Sequence, residues 1–171
     1  MMEFRVLGPL EVEEDGRVLK LGGAKQRALL ALLLLHANEA VSRERLIDEL
    51  WTGEPPATAV SVFQTYLSHL RKALGQDVIR THPTGYALEL GAHAFDLQRF
   101  EALLVRARQS PGEAGTLLRE ALALWRGPPL ADFAYEPFAQ AGIARLEELH
   151  LSALEQRIEA ELAPGRDAEL V

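Results

Sequence analysis

The sequence predicts an α+β half followed by an all-α half, with the boundary near residues 91–95. Three observations carry this. The chain opens on short runs with apolar residues at every second position. A nearly all-apolar helix, two further helices and a second pair of strands follow. Beyond Gly91 the periodicity becomes helical throughout. At 171 residues, 48% hydrophobic and 25% charged, the chain can bury a real core, which excludes disorder as its main state.

Phe4 and Val6 alternate with Glu3 and Arg5, and Leu10 and Val12 alternate with Glu11 and Glu13. Gly8-Pro9 separates these runs, and Asp15-Gly16 is a hairpin turn before Arg17-Val18-Leu19-Lys20-Leu21, so three short antiparallel strands are expected. Gly22-Gly23 ends that pattern. Ala24 to Ala37 reads as a helix that is apolar nearly all round (Leu29, Leu30, Leu32, Leu33, Leu34, Leu35), and so as the buried central helix. Ser42 caps a second helix, Arg43 to Trp51, whose apolar side is Leu46, Ile47, Leu50 and Trp51. Thr52-Gly53-Glu54-Pro55-Pro56 forces a turn, and a third helix runs from about Ala57 to Leu74 with Val60, Phe63, Leu67, Leu70 and Leu74 as its core stripe. Val78-Ile79-Arg80-Thr81 and Tyr86 to Leu90 then form a hairpin around His82-Pro83-Thr84-Gly85.

In the second half, helices are expected over residues 96–109, 113–125 and 137–162, without strands. The last of these carries Leu146, His150, Leu154, Ile158 and Leu162 at four-residue spacing. Paired helices with short turns suggest a small α-solenoid or bundle. A solenoid that ends on Ala163-Pro164-Gly165 and six further residues is expected to stop short of its natural domain end. Residues 1–91 and 92–171 are therefore taken as two domains, with net charges of −2 and −5.

Composition narrows the chemistry. Cysteine is absent, which removes disulfides, Cys-ligated zinc and a catalytic thiol. Eighteen cations against 25 acids give −7, unlike a generic nucleic-acid coat or an anionic-membrane binder, so any nucleic-acid contact must come from a local patch. The longest apolar run, Ala28 to Leu35, falls far short of the ~20 residues that a membrane span needs, and the N-terminus lacks a signal core. A cytoplasmic protein is expected. Gly22-Gly23-Ala24-Lys25 lacks phosphate-loop spacing, the five histidines show no ligand spacing, and no nucleophile–base set stands out. No enzymatic activity, cofactor or metal is expected.

The third helix is the informative element. Opposite its core stripe stand Thr58, Ser61, Thr65, Ser68, His69 and Lys72, flanked by Arg71. No acid occurs from Pro55 through Gln76, where the chain's average would place about three. An accidental gap on a solvated face is the plainer reading of that helix alone. Its context favours another. A helix, a tight turn and a second helix form a helix-turn-helix, which lays its second helix in the major groove, and the hairpin after it carries Arg80 and His82.

Five segments of the first half form a recognisable set: Phe4-Arg5-Val6-Leu7-Gly8-Pro9-Leu10, Gln26 to Leu33, Val41 to Trp51, Phe63 to Leu74, and Thr84-Gly85-Tyr86-Ala87-Leu88. Together they resemble the OmpR/PhoB-type domain of the Streptomyces antibiotic regulatory protein family. Phe95 to Glu101, Ala121 to Leu130 and Arg145 to Leu149 are similar to that family's bacterial transcriptional activator domain. The resemblance implies an α+β winged helix-turn-helix (a small N-terminal antiparallel sheet, three helices and a C-terminal β-hairpin wing) followed by part of an all-α tetratricopeptide-like helical domain. It also implies that Ser61, Val62, Thr65, Ser68, His69 and Lys72 meet bases and nearby phosphates. Arg71 matches a phosphate-contacting position, and Arg80 and His82 match wing positions, His82 where many relatives have a minor-groove Arg. Arg43 completes the implied DNA-binding set. Trp51 matches a core residue that can touch the DNA backbone. The chain departs from such relatives at Ser68-His69, where paired arginines often stand, and this bears on affinity and base preference.

The implied function is a sequence-specific transcriptional activator of a secondary-metabolite (antibiotic) gene cluster. Its implied partners are double-stranded promoter DNA carrying direct repeats, a second copy in a homodimer on that DNA, and the sigma or alpha subunit of RNA polymerase. A competing reading, from a different class, is an interaction or regulatory module that does not bind DNA and whose helical half docks a partner or effector domain. The missing arginine pair and the net charge favour this competitor; the acid-free helix face favours DNA.

Overall fold

A computed structural model describes residues 1–162, in which a winged helix-turn-helix is followed by a helical domain. The expected break at Ala163-Pro164-Gly165 and the tail after it lie outside the described residues. Three strands open the chain: β1 (Met2–Arg5), β2 (Glu11–Glu14) and β3 (Arg17–Val18). Phe4 pairs with Val12 across β1 and β2, and both are buried, as is Met2. On the opposite face Glu3 stands across from Glu13, a like-charge pairing that would destabilise the sheet. Arg5 offsets it by binding Glu3 at 2.9 Å and Glu11 and Glu13 at 2.7 Å each.

Helix α1 (Ala24–Leu35) is buried from Ala28 through Leu34, as its composition predicts. Helix α2 (Arg43–Leu50) starts at the expected cap, with the Ser42 side chain accepting from the Arg45 N–H, and helix α3 (Ala59–Leu74) packs on α1 through Phe63, Leu67, Leu70 and Leu74. Val60 is a correction to the expected stripe, for it is 46% exposed and Ala59 is buried instead. On a helical wheel the two flank the stripe's axis by about 50° on either side, so periodicity could not choose between them. Strands β4 (Ile79–His82) and β5 (Gly85–Leu88) form the expected hairpin, with His82 opposite Gly85 across a two-residue turn.

The second half holds α4 (Asp96–Gln109), α5 (Ala114–Leu122) and α6 (Gln140–Glu161), with α5 packed between the other two. Helix α5 ends three residues before its expected end. Trp125 lies in the turn beyond it, edge-on to Phe100 and stacked on His150 at 4.1 Å. His150 is thus a packed histidine, and its burial lowers its pKa below the ordinary value.

The row expected to be the core face of α6 does not stay on the core. Leu146 is buried, but Leu154, Ile158 and Leu162 are 39%, 58% and 69% exposed. A four-residue step overshoots the helical turn by about 40°, so such a row winds off the packed side, and Ala153 takes the inward position.

One strand was not anticipated. β6 (Ala94–Phe95) adds parallel to β1 and makes the sheet order β3-β2-β1-β6. Two residues carry no readable alternation, so only the edge of β1 defines this strand. The helical half also grips the segment after β1. The Asp96 carboxylate accepts from the N–H groups of Val6 (2.9 Å) and Leu7 (3.0 Å), Arg126 N–H donates to Leu7 O (2.8 Å), and Leu130 N–H donates to Val6 O (3.0 Å). Asp132 accepts from Leu10 N–H at 3.0 Å and pairs with Arg27. The buried core runs unbroken through both halves. Among the described residues no helix is long and apolar enough to cross a membrane.

Burial raises the Asp96 pKa above the ordinary 3.8, opposed by its N–H donors and by the Arg126 charge. Asp96→Ala strands two buried N–H groups and should destabilise the protein by about 2–4 kcal/mol in urea denaturation; an unchanged midpoint would refute the grip. With the folded pKa above the unfolded one, folding favours the protonated acid. The stability of the wild type relative to Asp96→Asn should therefore rise as the pH falls from neutral towards 4.

Candidate nucleic-acid interface

Packing α3 on α1 leaves its other side to solvent. Ser61, Thr65, Ser68, His69 and Lys72 are exposed there, and Val62 is half-buried. The Ser61 hydroxyl donates to Thr58 O (3.0 Å) and that of Thr65 to Ser61 O (3.1 Å), which leaves their oxygen lone pairs facing outward. Among the described residues Lys72 has no ion pair. Gln64, which the sequence reading missed, is also exposed on this side, and its Nε2 donates to the Tyr86 hydroxyl at 3.2 Å. Its spacing of three from Ser61 and four from Ser68 could have disclosed it.

Other expected residues are engaged within the protein. Arg71 turns from the open face to the wing. Its Nε and Nη2 donate to Ile79 O at 3.0 and 2.8 Å, Nη2 also reaches Thr81 Oγ1 at 2.9 Å, and the guanidinium lies over the Tyr86 ring. Arg71 therefore braces β4 against the end of α3. Both wing residues meet one carboxylate, with His82 Nε2 2.9 Å from Glu89 Oε1 and Arg80 Nε 3.4 Å from Glu89 Oε2. His69 Nδ1 lies 3.3 Å from Gln26 Oε1.

Arg43 is exposed at the start of α2, 3.7 Å from Glu44 Oε1. Trp51 is half-buried beneath Lys25 Nζ, 5.3 Å from its ring, and that ammonium donates to Leu50 O at 2.7 Å. Lys25 thus closes the C-terminal end of α2, as a cation there should.

Gly85 locks the wing to the helix-turn-helix. Val41 and Tyr86 exchange two backbone hydrogen bonds (2.8 and 2.9 Å) just before α2. A Cβ on Gly85 would lie 2.1 Å from Val41 O, and the φ of +155° there is one that side chains rarely adopt. Gly85 thus makes possible a close approach between the wing and the segment before α2.

Comparison with known proteins matches both halves. Residues 16–88 match the family described as "Transcriptional regulatory protein, C terminal", and residues 95–171 match "Bacterial transcriptional activator domain". The regulatory protein DnrI of Streptomyces peucetius is 36% identical over 99% of this chain and 68% of its own length. The chain belongs to the Streptomyces antibiotic regulatory protein family. The regulatory protein AfsR of Streptomyces coelicolor is 42% identical over 99% of this chain, which spans 18% of that larger protein. The structure titled "Mycobacterium tuberculosis EmbR in complex with low affinity phosphopeptide" superimposes with a TM-score of 0.90 at 34% identity, covering 99% of this chain and 48% of that one. These relatives are named as regulators, and transcriptional regulation is the role this family membership supports.

Glu89 neutralises the wing in the free protein, which gives a direct test. Glu89→Gln should strengthen binding to a polyanion such as heparin and delay elution to higher salt, while Gln64→Ala should leave elution within error. Unchanged elution of Glu89→Gln would show that Arg80 and His82 do not meet polyanions.

Proposed function

We propose that the first half of this chain reads promoter DNA, with α3 in the major groove and the β4–β5 wing at the adjacent minor groove. The observation that carries this reading is the exposed side of α3, which bears hydroxyls, an amide, an imidazole and an ammonium but no acid on a chain of net charge −7. Carboxylates there would repel phosphates; short polar side chains let the helix approach base edges. In this reading Ser61, Val62, Thr65, Ser68 and His69 face bases, and Lys72 and Arg43 face phosphates. Arg80 and His82 exchange Glu89 for the DNA backbone. Arg71 acts by positioning the wing.

The helical half contacts RNA polymerase, and two copies bind direct repeats head to tail, so the promoter-bound assembly is open rather than twofold. The protein acts in the cytoplasm as an activator of a secondary-metabolite gene cluster, with the division of labour falling at about residue 91. One observation favours the competing reading of an interaction module without DNA binding: Arg80 and His82 of the wing are already engaged by Glu89.

Fluorescence anisotropy on duplexes from the promoter regions beside its own gene, titrated with salt, separates the two. Selective binding whose log–log slope is about −0.9 per neutralised phosphate supports DNA reading; a folded sample that prefers no duplex supports the competitor. Lys72→Ala should make the slope shallower by about one unit for every sequence, and Thr65→Ala should lose ~1–3 kcal/mol at its cognate base only. A slope unchanged by Lys72→Ala removes that lysine from the phosphate set.

A further inference from the structure

The pairing of His69 with Gln26 fixes more than a position. This inference rests on the reading of α3 as a DNA-reading helix and adds the hydrogen-bonding sense of one side chain. Gln26 is the buried polar residue of α1, only 8% exposed, and its Nε2 donates to Leu21 O at 2.8 Å. A backbone carbonyl only accepts, so the NH2 end of the amide must face Leu21 and Oε1 must face away from it. That Oε1 is the atom 3.3 Å from His69 Nδ1. Two acceptors would repel at that distance, so Nδ1 carries the proton. A neutral imidazole has one ring proton, which leaves Nε2 as a bare acceptor.

Packing holds the amide in place. A Cβ on residue 22 would lie 2.5 Å from Gln26 Nε2, so Gln26 occupies the room that the missing Gly22 side chain leaves. His69 itself is exposed on α3.

We infer that His69 reads its base as a hydrogen-bond acceptor and therefore specifies adenine or cytosine. In the major groove adenine offers its N6 amino group and cytosine its N4 amino group, whereas guanine offers only the acceptors N7 and O6. An arginine at the same place, all donors, would select guanine. The selector is the pair: Gln26 positions the proton, and His69 presents the lone pair.

Two measurements test this on the full chain. The first is 15N NMR of histidine-labelled protein at pH 8, where imidazoles are neutral. His69 should show a protonated Nδ1 and an unprotonated Nε2; the opposite tautomer overturns the inference without involving DNA. The second is selection from a pool of randomised duplexes by the wild type, His69→Arg and Gln26→Leu. The wild type should enrich adenine or cytosine at one position, His69→Arg should turn that position to guanine, and the discrimination should be about 3–10-fold.

Gln26→Leu, if circular dichroism shows it folded, should flatten that position and leave the others unchanged. If instead His69→Arg tightens binding to every duplex alike, His69 faces a phosphate and the inference fails. If the expected tautomer is present but the wild type enriches no sequence, the DNA-reading assignment of α3 fails and takes this inference with it.

Discussion

The segment Val6–Leu10 leaves β1 with its backbone groups committed to the other half of the chain, and the relation between the two halves depends on that commitment. Asp96 takes two of its N–H groups, Arg126 and Leu130 donate to its carbonyls, and Asp132 holds the N–H of Leu10 while pairing with Arg27 of α1. Buried backbone groups need partners, so these bonds cannot be given up without leaving polar groups stranded in the core. Because β1 lies in the sheet of the winged helix and Asp96 opens α4, the anchor joins a strand of one half to a helix of the other. The helical half is thus fixed to the body that carries α3, and what orients one orients the other.

Within that frame, polar side chains around α3 divide into those that build the surface and those that face out from it. Arg71, Gln26 and Lys25 are used internally: one ties the wing to α3, one ties α1 to His69, and one covers the end of α2. Glu89 is different, because its partners Arg80 and His82 are themselves surface groups. Exposed ion pairs are weak, so these contacts cost little to open. Tyr86 joins the two parts, meeting Phe63, Gln64 and Arg71 of α3.

Most of the fold was legible because its signals are local. An apolar helix, a serine cap and alternating strands declare themselves within a few residues, and the family segments added the architecture. What was not legible depended on distant partners or, on α6, on a spacing that does not hold to one face. β6 exists because β1 has a free edge, Val60 and Ala59 were symmetric on the wheel, and the row on α6 failed because four is not 3.6. The candidate site followed the same rule. The acid-free face of α3 could be read from spacing, but the commitment of Arg71 to Ile79 and the sharing of Glu89 by Arg80 and His82 could not, since each partner comes from another element.

The distribution of charge around α3 has a kinetic meaning. A molecule with net charge −7 is repelled on average by another polyanion, yet the exposed side of α3 bears no carboxylate of its own, and among the described residues its Lys72 ammonium has no ion pair. Collisions on other faces meet repulsion, while those that bring α3 forward do not. Such a field acts as a filter on orientation before any contact forms, and it sharpens as salt is diluted. A uniformly basic protein would associate faster but indiscriminately, in any pose. This arrangement exchanges encounter frequency for encounters that are already aligned.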